Sequence, residues 1–106
     1  MSFREPTPEE VSLLQRLAEI AGLADDWIDG LLVEDMADGG MGSLRLLSRG
    51  AGAAHPGLGT PVAFYEYRDL DDIPVQIQLF LDEEGRPAEL DSWKVDFSPI
   101  QSRSGK

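Results

Sequence analysis

Val75, Ile77, Leu79 and Leu81 alternate with Gln76, Gln78 and Phe80. A period of two held over seven residues is a β-strand with one buried face. Such a strand is not stable alone. It needs hydrogen-bonded neighbours and an apolar layer over its buried side. The rest of the chain has to provide both.

The layer comes from the start of the chain. Thr7-Pro8-Glu9-Glu10 opens a helix: Thr7 caps it, Pro8 suits the first helical position and Glu10 closes a capping box. Val11, Leu14, Leu17, Ala18 and Ala21 then recur at three- and four-residue spacing, widened by Leu13 and Ile20, and Gly22 stops the element. The spacing predicts one amphipathic helix over residues 8–21, preceded by a loose arm at 1–6. Asp25 to Gly30 reads as a short helical turn capped by Asp25 and anchored by Trp27 and Ile28.

The neighbours are further strands. Leu31–Met36 and Met41–Leu47 flank Asp38-Gly39-Gly40 and read as a hairpin. Val62–Arg68, Val75–Leu81 and Ala88–Phe97 form a meander, turning at 70–74 and at Asp82-Glu83-Glu84-Gly85. In the last strand Leu90 and Trp93 are three apart, so a β-bulge at Asp91-Ser92 is expected to bring Trp93 and Phe97 inward and leave Lys94 and Asp96 outside. Ser48–Thr60, rich in Gly, Ala and Pro, reads as a mobile loop, and residues 101–106 as a frayed tail. The expectation is a single α+β domain over 1–106, its N-terminal helix packed on an antiparallel sheet of about five strands.

Charge narrows the partners. The 106 residues carry 20 acids and nine Lys or Arg, a formal net charge of −11. Residues 1–35 hold nine acids and two bases, and residues 61–96 hold ten acids and three bases. Nucleic acid and anionic membranes need a basic footprint and are not expected as partners. A basic protein is. No apolar run nears the roughly 20 residues that cross a bilayer, and no secretory leader pattern opens the chain, so a cytoplasmic location is expected.

No catalytic residue, cofactor or metal is expected. The chain has no cysteine, and His55 is its one histidine, with no second imidazole to share a metal. Gly39 to Ser43 lacks the lysine and following helix of a phosphate loop. The pairs Asp25/Asp26, Asp71/Asp72 and Glu83/Glu84 fall in turns, where solvent screens them. The stretch from Asp82 to Asp91 lacks the ligand spacing of a calcium loop. The residues singled out for a partner surface or pocket are Trp93, Lys94 and Asp96, with Met41, Arg45, Tyr65 and Tyr67.

Asp38-Gly39-Gly40-Met41-Gly42-Ser43-Leu44 and Leu90-Asp91-Ser92-Trp93-Lys94-Val95-Asp96-Phe97-Ser98-Pro99 resemble an uncharacterised family of small bacterial proteins with a "DGGMGSL" turn and a closing "LDxWKxDFSP" strand. The hairpin from Leu79 to Val95 is also loosely similar to the endings of toxin-immunity domains. The first resemblance implies a bacterial protein and carries over no activity and no site residue, and the second favours a neutralising partner role. Net charge −11, a small single domain and the lack of an assembled catalytic set point to a non-enzymatic, protein-binding role. Two alternatives stand beside it. One is a small enzyme or ligand-binding domain with a pocket near Trp93, Lys94 and Asp96. The other is a homodimer joined through a strand edge or an apolar sheet face.

Overall fold

In the computed structural model, residues 3–47, 61–82, 85–103 and 105 are described. The Ser48–Thr60 loop with His55, and the pair Glu83/Glu84, lie outside the described residues. Helix α1 (Pro8–Ala21) precedes a single 3-10 turn (Asp26–Ile28) and strands β1 (Leu32–Asp35), β2 (Leu44–Leu47), β3 (Pro61–Arg68), β4 (Pro74–Leu81) and β5 (Pro87–Lys94). All pairings are antiparallel and the order is β1-β2-β5-β4-β3. The hairpin therefore joins the meander through its last strand, and β3 is a sheet edge.

α1 starts as its capping box dictates. The Glu10 N–H donates to Thr7 Oγ1 at 3.2 Å and the Thr7 N–H donates back to Glu10 Oε1 at 2.9 Å. Leu13, Leu14 and Leu17 face the sheet and meet Val33, Leu44, Leu46, Ile77, Leu79 and Leu90 in one core. The buried face of β4 is the expected one at Val75, Ile77 and Leu79. Asp25 precedes the 3-10 turn but makes no side-chain cap bond.

Three expectations need correction. First, the N-terminal arm is tied down at Arg4. Arg4 exchanges two backbone hydrogen bonds of 2.7 Å with Val33. Its guanidinium donates to both Glu10 oxygens at 2.8 and 2.9 Å and to Asp35 at 2.9 and 3.1 Å. Burial works to raise the Glu10 pKa, but Arg4 and the Thr7 N–H outweigh it and hold the carboxyl below its usual range. Second, β1 and β2 are shorter than expected. The Asp38 carboxylate accepts from the N–H groups of Met41 (3.0 Å) and Ser43 (2.9 Å), which curls 36–43 into a wide loop closed by Met36 N–H to Ser43 O. Third, β5 has no bulge at Asp91-Ser92. Ala88, Leu90, Ser92 and Lys94 alternate inward without a break, and the irregular register lies between Phe80 and Leu81. Lys94 is therefore inside and Trp93 outside. The strand ends at Lys94 in a turn where the Phe97 N–H returns to Lys94 O and the Phe97 ring is 76% exposed.

Thr7→Ala removes the acceptor for one orphan N–H of α1. It should lower the unfolding free energy by about 1 kcal/mol, read from the urea midpoint at unchanged slope.

Candidate functional site

The inward course of β5 sets the electrostatics of the interior. Lys94 and Asp69 are both fully buried. Lys94 Nζ lies 3.0 Å from Asp69 Oδ2 and 2.6 Å from Asp71 Oδ2. Asp69 also accepts backbone N–H groups from Leu70 (2.8 Å), Gln101 (2.8 Å) and Ser102 (2.9 Å). Burial alone would raise the Asp69 pKa; the Gln101 N–H, Lys94 and the other two N–H groups overcome it and keep the carboxyl below its usual range. Burial likewise pulls the Lys94 pKa down, and Asp71 and Asp69 more than restore it, so the ammonium stays charged. Asp71, expected in a screened turn, is thus half of a buried cation's charge balance. A signal for this lay in the sequence. Lys94 and Lys106 are the only lysines, and Lys94 continues an Ala88-Leu90-Ser92 alternation.

The glycine turn and the closing segment meet here. Ser43 Oγ accepts from the Ser92 N–H at 3.0 Å and donates toward Ser92 O and Asp91 Oδ1. The Lys94 N–H points at the Met41 sulfur, 3.3 Å away. The Ile100 N–H donates to Gly40 O at 3.0 Å, and Arg103 Nη2 donates to Gly42 O. Gly42 has φ +86, and a Cβ there would sit 2.7 Å from the Arg103 guanidinium carbon. Glycine is needed for the backbone angle, and its lack of a Cβ lets the Arg103 guanidinium lie against it. The tail from Gln101 to Arg103 is therefore fastened rather than frayed.

The seven singled-out residues do not converge. Met41 and Lys94 are buried among the contacts above. Asp96 accepts from the N–H and hydroxyl of Ser98 in the terminal turn, and these bonds hold its carboxyl below the usual range. Tyr65 and Tyr67 lie on the helix side. Tyr67 donates its hydroxyl to Ser102 O at 2.8 Å, and burial pushes its pKa up to about 12. Trp93 and Arg45 are on the opposite face of the sheet.

That opposite face is covered by no described element. Register places Glu34, Arg45, Glu89 and Phe80 in one row across it, Asp91, Gln78 and Phe64 in the next, and Trp93, Gln76 and Glu66 in a third. Phe64 is 51% exposed, and Phe80 and Trp93 are half-buried. Arg45 reaches Glu34 at 3.8 Å. Burial, and then the neighbouring Asp91, raise the Glu89 pKa, with Arg45 only partly offsetting them. The face thus presents aromatic surface among crowded acids. Phe64 and Phe80 stood out in the sequence only as apolar residues for a homodimer face, and Glu66, Glu89 and Asp91 did not stand out at all, since a site of this kind appears only when β3, β4 and β5 are placed side by side.

Over residues 3–104 the chain matches the family described as domain of unknown function DUF6984, and it belongs to that family. No curated protein and no solved structure matches it. No described helix is long and apolar enough to cross a membrane.

Asp69→Ala strips an acceptor from four donors and should cost about 3–5 kcal/mol at neutral pH. Lys94→Met should cost less, because Asp69 keeps its three backbone donors. Since the folded Asp69 pKa is depressed, its stabilisation is present above the usual carboxylate range and disappears as pH falls through the folded value. Acid unfolding curves of the wild type and Asp69→Asn should therefore converge at low pH. Gly42→Ala should cost about 1–3 kcal/mol, and more than Gly39→Ala, which shares the positive φ but meets no atom within 4 Å.

Proposed function

We propose that the domain is a protein-binding module that docks a basic partner on the outer face of the sheet, as an immunity-like neutraliser inside a bacterial cell. The observation that carries this is the crowding of Glu89 against Asp91 beside Phe64, Phe80 and Trp93. Like charges held together at a half-buried surface store repulsion that a cationic partner relieves. The aromatic rings supply the desolvated anchors that acids alone lack. Net charge −11 supports the same reading, because it steers a basic partner into encounter.

A second reading has its own observation. β3 is an eight-residue edge strand, and none of the described strands pairs with its outer side. An edge of this length is a template for a second copy of the chain. Light scattering at micromolar concentration decides it: a monomer removes the homodimer, and a dimer lost on placing a proline at Tyr65 establishes it.

The test of the first reading is surface-binding kinetics against the most basic protein domain encoded beside this chain's gene. The association rate should fall about tenfold or more between low and high salt. Trp93→Ala should cost about 2 kcal/mol or more of affinity. Because the Glu89 pKa is raised, binding should weaken as pH falls through its ionisation, and Glu89→Gln should flatten that dependence. Failure to bind, or binding indifferent to salt and to Trp93, overturns the proposal.

A further inference from the structure

We infer that the turns after β3 and β5 form a rigid docking head, which seats the Phe97 ring in an apolar pocket rimmed by lysine or arginine on a protein partner. The inference rests on the reading that the domain binds a basic protein, and adds where that partner is gripped. Five large apolar side chains are exposed among the described residues, and three of them, Leu70 (55%), Val95 (43%) and Phe97, stand on these two turns. The turns are fastened to each other. Lys94 Nζ holds Asp69 and Asp71 of the first, and Lys94 O accepts the Phe97 N–H of the second. The Val95 N–H donates to Pro74 O at 3.0 Å, so the patch continues from the row of Trp93, Gln76 and Glu66 on the outer face. The helix-side cleft between α1 and β3, lined by Leu13, Tyr65, Tyr67 and Arg103, takes no part.

Phe97 has φ +62. A bulky side chain is strained in that region, where glycine is not. The bond to Lys94 O and the hold of Asp96 on Ser98 keep the turn in this shape. A strained residue that displays its ring to solvent does nothing for the core, and strain of this kind gathers at binding sites. Aromatic rings seated in a pocket are typical anchors of protein interfaces. Charge selects the occupant. Asp71, Asp72 and Asp96 are exposed beside the patch. The cations there are engaged, Lys94 with Asp69 and Asp71, and Arg68 with Asp72 O. Two such heads would repel each other, and the acids oppose an anionic bilayer. A basic rim around an apolar pocket satisfies both the acids and the ring.

The probe is the basic domain encoded beside this chain's gene, with Phe97→Ala and Trp93→Ala measured side by side in the full chain. Phe97→Ala should weaken binding about thirtyfold, chiefly through faster dissociation. Asp72→Asn should slow association about twofold. Without any partner, Phe97→Ala should lower the melting temperature by less than about 4 °C, because the ring is outside the core. Normal binding by Phe97→Ala while Trp93→Ala binds weakly overturns the docking head and leaves the outer-face reading standing. The reverse keeps the head and removes the face. A wild-type chain that does not bind overturns both. A larger fall in melting temperature overturns the head, as does a Phe97-dependent dimer in light scattering or Phe97-dependent binding to phosphatidylcholine vesicles.

Discussion

The buried Asp69 carboxylate is the point through which distant parts of the chain are held in register. It takes Lys94 from the end of β5, Leu70 from its own turn, and Gln101 and Ser102 from the tail. A bare buried carboxylate is costly, and so is a bare buried ammonium. Each is tolerable here only because the other is present with backbone donors around it. The turn after β3, the last strand and the C-terminal segment thus reach low energy together. Moving any one of them exposes an unmatched charge to the core.

This arrangement explains why the two most distinctive stretches of sequence lie so far apart along the chain yet act as one device. The loop from Asp38 to Ser43 offers a sulfur, a hydroxyl and two carbonyls, and the segment from Ser92 to Arg103 uses them all. Such specific wording invites a functional interpretation. The contacts assign Met41, Ser43 and Lys94 to closure of the fold instead. Function is then better sought among residues that closure leaves free.

The fold was largely legible, for local reasons. The bounds of α1 follow from Thr7, Glu10 and Gly22, which act within a few residues of themselves. The inward face of β4 follows from its own alternation. The last strand was misread because apolar character was used to decide its face. Ser92 and Lys94 violate that rule, since each finds its partner on another element, at Ser43 and at Asp69 and Asp71. Only tertiary pairing converts a polar strand position into an inward one. Likewise the acidity of the chain was plain from composition. The row that sets Glu89 beside Arg45 depends on β5 pairing with β2, which neither strand announces.

The same fastening that closes the fold shapes the two surfaces differently. The outer face is built on β3, β4 and β5, whose register is set by backbone pairing along their length. Its acids and rings would keep their spacing if the tail were released. The helix-side cleft has no such independence. Ser102 receives the Tyr67 hydroxyl, and Arg103, which lines the cleft, directly follows the two residues that Asp69 holds in place. Damage at Asp69 therefore reaches one surface before the other. That asymmetry lets damage to the two surfaces be told apart even though both rest on one small core.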